Sequence, residues 1–350
     1  MGPMDPITRW LLMVAGLVVL MVLVGGYVRL SRAGLSIVEW DVVTGILPPI
    51  GDAAWAESFA EYKQTPEYRL VNNGMSLGEY QDIFYIEWAH RLIARVVGLL
   101  VVLPLIWFMR RGLVSARDSL RYWGVVVLFG VQGLMGWLMV SSGLRDKPAV
   151  NHFRLTVHLL VALALLGIVL WMALDRLRAA RSTEGEWVPT ERSRGRTLSH
   201  VLLGVVLVQI GYGGIVAGLK AGYVSDTWPL MFDRFVPPDM LTTYEPGWTG
   251  LFEPIGSHWV HRWFAFVVAA VAVAVFVAVR RENTDRVPLR IATSLLLTII
   301  GVQIALGVFV VLNAVPKWLA LAHQGTGVAL FCVSVVLVHG VRTRLEPGPG

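Results

Sequence analysis

The 350-residue chain is 55% hydrophobic and only 15% charged, with a mean hydropathy of +0.63, which excludes an ordinary soluble domain and places it among polytopic membrane proteins. Its net charge of +6 is carried by arginines in short stretches beside apolar runs, a topology pattern that excludes nucleic acid as the partner. The single Cys332, deep in the last apolar run, excludes an intramolecular disulfide.

A membrane-spanning helix needs roughly 20 apolar residues. Eight runs qualify, at 10–30, 84–109, 119–141, 155–174, 197–217, 259–279, 289–312 and 318–339. The N-terminus reads as neither a cleavable signal nor a transit peptide, so the first span is expected to stay and to direct its own insertion. Arg9, Arg110, Arg111, Arg117, Arg121, the arginines of 176–196, Arg280, Arg281, Arg286, Arg290, Arg342 and Arg344 all fall on the N-terminal side. The opposite loops hold fewer basic residues over far more chain: Arg32, Lys63, Arg69, Arg145, Lys147, Arg154, Lys220, Arg234 and Lys317. Both termini are therefore expected in the cytoplasm. Two outer-side loops, 31–83 and 218–257, are long enough to have a job of their own. In the first, Trp55, Phe59 and Tyr62 share one face of a predicted helix, with Pro66 as its breaker. Such a helix reads either as a membrane-surface element or as a lid over a site. The expected organisation is an all-α membrane protein of two four-helix halves, 1–175 and 197–350, joined by a cytoplasmic linker at 176–196.

The halves repeat. Glu87-Trp88-Ala89-His90-Arg91 opens the second span, and His258-Trp259-Val260-His261-Arg262 opens the sixth. Gly25-Gly26 matches Gly213-Gly214, and Pro48-Pro49 matches Pro237-Pro238. Gln132 follows His90 at the interval at which Gln303 follows His261, and Gly136 and Gly307 each come one helical turn later. His158 in the fourth span answers His323 in the eighth. Four spans restore the chain direction, so the halves are expected to be parallel repeats.

Any one of His90, His158, His261 and His323 alone reads as a satisfied structural histidine. Four at repeat-matched positions, each in the first turns of an even-numbered span, read as inward-facing ligands in helix bundles. Zinc wants more donors per site, and the second half's histidine motifs carry no sulfur or carboxylate donor; two histidines per half suit a heme held by axial imidazoles. Arg154 lies one turn nearer the water on the face of His158, where it suits a heme propionate or serves as an interfacial anchor. His200 and His339 read as interfacial residues at the cytoplasmic ends, and His152 as a loop-side one. Glu87 breaks the symmetry, because its match is His258. A carboxylate there suits acid–base or charge-stabilising work, against a plain helix-dipole role.

On these motifs the chain resembles the heme A synthase family over nearly all eight spans. The specific pieces are Glu87-Trp88-Ala89-His90-Arg91, Gln132-Gly133-Leu134-Met135-Gly136 with Ser142-Gly143-Leu144, Arg154-Leu155-Thr156-Val157-His158, Thr227-Trp228-Pro229-Leu230-Met231, His261-Arg262 and His323-Gln324. The resemblance implies a heme b cofactor on His261 and His323. It implies a heme O substrate site at His90 and His158, with Glu87 catalytic. The implied reaction is oxidation of a heme O methyl to the formyl group of heme A, by successive hydroxylations and loss of water. Heme O supply by its synthase, assembly factors of heme-copper oxidases and surrounding membrane lipid are the implied associations, in a bacterial inner membrane; a homo-oligomer is one open option, since the sequence does not fix the oligomeric state. The chain departs from the many members with paired outer-loop cysteines and is similar to the cysteine-free alphaproteobacterial and mitochondrial subgroup. His258 stands where the family pattern leads one to expect an uncharged polar residue. Two rivals make different demands: a diheme b-type electron-transfer cytochrome needs no Glu87, and a transporter needs access from both sides.

Overall fold

The computed structural model describes residues 4–39, 44–144, 148–180, 186–238, 240 and 249–346. Arg145, Lys147 and Arg181, and the 241–248 part of the second long loop, lie outside them. In chain order the helices are α1 (Pro6–Leu30), α2 (Asp52–Tyr62), α3 (Pro66–Leu70), α4 (Leu77–Arg110), α5 (Ala116–Gly143), α6 (His152–Ala179), α7 (Arg194–Gly218), α8 (Pro254–Glu282), α9 (Val287–Leu312) and α10 (Lys317–Gly340). All but α2 and α3 are long and apolar enough to cross a bilayer, so the protein is an all-α, multi-pass membrane protein with eight spans. Most of these helices overrun the apolar runs at both ends. Hydropathy marks only the lipid-facing stretch, whereas the helix continues to its polar cap. Ser76 starts α4 with a capping box: its Oγ accepts from Glu79 N at 3.3 Å while Glu79 Oε2 accepts from Ser76 N at 2.8 Å. Ser115 and Ser193 cap α5 and α7 through Asp118 N and Arg196 N.

The chain divides into two compact units, residues 16–165 and residues 1–15 with 166–350. In the second, α7 packs against α8 and α10, and α9 packs against α8 and α10. In the first, α4 packs against α5 and receives α2. The turns leaving α1 and α7 are the same: Arg32 (φ 53°) and Lys220 (φ 54°) both adopt the left-handed conformation, and Ser31 N and Leu219 N close on Tyr27 O and Ile215 O at 2.9 Å.

Helix α2 spends its aromatic face on the protein rather than on lipid. Trp55, Phe59 and Tyr62 are buried against Tyr80 and Phe84 of α4, with Phe59 and Tyr62 each stacked 5.0 Å from Tyr80. Burial pushes the Tyr62 phenol above its ordinary pKa, so it stays neutral and accepts a hydrogen bond from Asn72 Nδ2 at 2.7 Å. Pro66 both ends α2 and opens α3, at whose start Thr65 Oγ1 accepts from Tyr68 N.

One element escapes a purely helical expectation. The 176–196 linker carries a strand, β1 (Glu186–Pro189), paired antiparallel with β2 (Thr343–Glu346), Val188 opposite Arg344. The linker is thereby fastened to the chain's last described residues.

Candidate functional site

Each of the four histidines predicted as ligands sits against a glycine of the preceding membrane helix. A Cβ at Gly136 would lie 3.3 Å from His158 Cε1, one at Gly213 would lie 3.1 Å from His261 Cε1, and one at Gly307 would lie 3.0 Å from His323 Cε1. At Gly25 it would lie 3.4 Å from His90, and the nearest atom there is Nε2. The glycines matter because a bare helix surface lets the imidazole approach the facing backbone. His90 presents a different edge from the other three.

Three of the histidines are also gripped by an amide one turn before the seating glycine. Gln132 Nε2 donates to the His158 carbonyl at 3.1 Å and lies 3.3 Å from its Nε2. Gln209 Nε2 donates to the His261 carbonyl at 2.8 Å and lies 3.2 Å from its Nδ1. Gln303 Nε2 lies 3.3 Å from His323 Nε2 and accepts, through Oε1, from Thr326 Oγ1. The position four residues before Gly25 is Met21, which has no such donor. Gln209 is the functional residue that sequence reasoning missed. The signal was the repeated Gln-x-x-x-Gly in the third, fifth and seventh spans.

The structure brings His261 and His323 together, ring centroids 6.1 Å apart and planes at 79°, and places His90 and His158 in one compact unit, each against its glycine. The His261–His323 separation suits a metal bonded to one nitrogen of each ring, with two bonds of about 2 Å in series with the ring radii. Among the described residues no cluster of three or more His, Cys, Asp or Glu forms, so a bare ion lacks its donor set. A porphyrin brings its own equatorial nitrogens and needs only two imidazoles. The buried Nδ1 atoms of His158 and His323 have no partner among the described residues, as befits rings awaiting a ligand. The residues fit a heme.

Outward of each first histidine lies a loop clamp. Glu87, only 2% exposed, accepts four hydrogen bonds. Three go to Oε2, from Ser36 N, Ser36 Oγ and Ile37 N at 2.8, 2.7 and 3.0 Å. The fourth reaches Oε1 from Arg91 at 2.8 Å. Arg91 in turn donates to Glu39 O and Ile37 O. In the other unit Arg262 donates to Thr227 O and Ser225 O, and its Nε donates to His258 Nε2 at 3.0 Å. Trp88 Nε1 donates to Ile46 O, and Trp259 Nε1 to Phe235 O. The polar positions of the repeated motif thus divide the work. An acceptor orients the arginine, the tryptophan and the arginine hold the loop, and the histidine faces inward. Ser36 and Ile37 are invisible in sequence because they lie some fifty residues from Glu87.

Arg154 is exposed, and its NH1 donates to Leu138 O at 2.7 Å, which fastens the start of α6 to the end of α5. His152 packs on Phe153, and exposed His200 meets Arg196 O. His339, expected at the cytoplasmic end of its span, sits in the last turn of α10 and is packed inside the protein. It is 5% exposed, with Nε2 2.8 Å from Asp175 Oδ1, Nδ1 2.8 Å from Arg178 NH2 and its ring edge-on to Trp171. Partners so distant in sequence left no local sign of this.

A family described as cytochrome oxidase assembly protein, COX15-CtaA, matches residues 8–335. A heme A synthase of Sphingopyxis alaskensis is 38% identical over 97% of this chain and 92% of its own length. One of Bradyrhizobium sp. strain ORS 278 is 42% identical over 97% and 91%, and one of Paramagnetospirillum magneticum is 40% identical over 98% and 96%. With paired, glycine-seated histidines in each unit and matches that run almost end to end, the chain belongs to the COX15-CtaA family of cytochrome oxidase assembly proteins.

Proposed function

We propose that the protein is a heme A synthase, an inner-membrane oxidoreductase that converts a methyl group of heme O to the formyl group of heme A by successive hydroxylations and dehydration. The observation that carries this reading is the pairing of two glycine-seated histidine sites that differ in one charge, Glu87 against His258. His261 and His323 would hold a heme b cofactor, whose iron supplies one-electron chemistry when bound. His90 and His158, in the 1–175 half, would hold the substrate heme, with Glu87 as a fixed negative charge one turn away. Both Glu87 oxygens are already committed to the 36–37 loop and Arg91. That favours a charge-stabilising and loop-holding role over proton carriage. Arg154 stands at the mouth of the same half, where its remaining donors suit a propionate. The arginine bias supports cytoplasmic termini and outer-side sites.

The test separates the two pairs. His261→Ala and His323→Ala should each abolish the b-type reduced-minus-oxidised spectrum of the purified protein, because low-spin iron needs both nitrogens. His90→Ala and His158→Ala should keep that spectrum and lose heme A in extracts of cells supplied with heme O. A protein that retains two permanent b hemes and extracts as heme B alone is the diheme cytochrome instead.

A further inference from the structure

The two loop clamps have the same geometry and different charge. In the first, the Arg91 guanidinium is answered by the Glu87 carboxylate at 2.8 Å, so the clamp is neutral. In the second, the corresponding acceptor is the imidazole of His258. Because His258 Nε2 accepts from Arg262 Nε, that nitrogen carries no proton and the ring is neutral. Its partners at the other two arms are backbone carbonyls of Ser225 and Thr227, and the Trp228 ring lies 5.8 Å away. Asp226, between those carbonyls, is exposed, and among the described residues no carboxylate forms an ion pair with Arg262. Arg262 is 6% exposed and His258 3%. A whole positive charge is thus buried next in sequence to His261, and a charge in a poorly screened interior acts on its neighbours far more strongly than one in water.

We propose that the net positive charge of the His258–Arg262 clamp raises the reduction potential of the heme held by His261 and His323, making that half of the molecule an electron acceptor, while the ion-paired Glu87–Arg91 clamp adds no such net charge beside its own histidines. The inference rests on the heme b reading of that histidine pair. Its physics is simple. When one electron enters, ferric iron becomes ferrous and the site loses one unit of positive charge, so a fixed cation nearby favours the reduced form. His258 and Arg262 act here as tuning residues that touch neither substrate nor iron.

The experiment is a mediated spectroelectrochemical titration of the b-type heme in the purified full-length protein. His258→Gln keeps a neutral acceptor for Arg262 Nε and should leave the midpoint unchanged. His258→Glu restores the neutral ion pair of the other half and should lower the midpoint. The expected shift is at least a tenfold change in the reduced-to-oxidised ratio at fixed poise, about 59 mV for one electron. A His258→Glu protein with an intact b-type spectrum and the wild-type midpoint overturns the proposal. Arg262→Gln, which removes the charge itself, is the second variant should His258→Glu not retain heme; it too must lower the midpoint, and an unchanged value overturns the proposal. Wild-type protein lacking a b-type spectrum overturns the heme reading and the tuning with it, before any variant is compared.

Discussion

At Gly307 the room for a side chain ends 3.0 Å from the His323 ring. Gly307→Ala therefore forces the imidazole off its seat by a few tenths of an ångström. The expected outcome is a b-type heme bound at lower occupancy with a shifted spectrum, read by pyridine hemochrome and difference spectra. Gly301, in the same helix, has nothing within 4 Å of where a methyl group would stand, so Gly301→Ala should leave the spectrum alone and raise helix stability by about 0.5–1 kcal/mol. If both alanines behave alike, the glycine has no seating role. Glu87 calls for a different measurement. Glu87→Gln takes the negative charge away from the half-buried Arg91, which keeps its bonds to Glu39 O and Ile37 O, and weakens acceptance from Ser36 and Ile37; hydrogen bonds to a charged group are worth about 1.5–3 kcal/mol. Thermal unfolding should show that loss alongside falling heme A. A decrease of only about 0.3–1 kcal/mol with heme A intact would reduce Glu87 to a helix-dipole residue.

At the scale of elements, α2 is held by aromatic burial rather than by lipid. Phe59→Ala removes a ring stacked 5.0 Å from Tyr80, a change that costs about 3–5 kcal/mol when fully expressed. Limited proteolysis should cut the 44–76 stretch faster in this variant, with the His261–His323 spectrum unchanged. Equal cleavage rates would mean that other contacts fix the helix. This helix is legible in the sequence because Trp55, Phe59 and Tyr62 recur at the helical period, and the eight spans are legible because lipid imposes long apolar runs. What the face packs against is not legible, since Tyr80 and Phe84 sit on another helix. The β1–β2 pair is hidden for a related reason: four-residue strands at chain positions 186–189 and 343–346 carry no periodicity longer than chance. His339 reads as interfacial in sequence because its burial depends on Asp175 and Arg178, far earlier in the chain.

On the scale of the whole chain, a motif that recurs along the sequence makes the candidate sites readable, and its departures mark where the two sites differ. The repeated histidines, glycines and clamp arginines stand out because they recur in matched order, and three of the four histidine seats share one geometry. Divergence shows where a copy departs from the pattern: Glu87 against His258 among the clamps, and Met21 against Gln132, Gln209 and Gln303 among the grips. A cofactor site benefits from gripped ligands, because a ring locked by hydrogen bonds holds its iron permanently. On the proposed assignment the substrate site keeps one gripped ligand, His158, and needs its other ligand to let go, since product must leave each cycle. His90 lacks the amide and turns its Nε2 edge, not Cε1, toward its glycine, which suits a ligand that must let go. Met21→Gln supplies the missing donor one turn before Gly25. One added hydrogen bond is worth about 0.5–1.5 kcal/mol, so exchange of the bound substrate heme should slow by about 2- to 10-fold. Purified Met21→Gln protein should then carry more heme O and heme A than wild type and turn over more slowly, while its b-type spectrum stays the same. Unchanged heme content and turnover would show that His90 owes its release to something other than the absent amide.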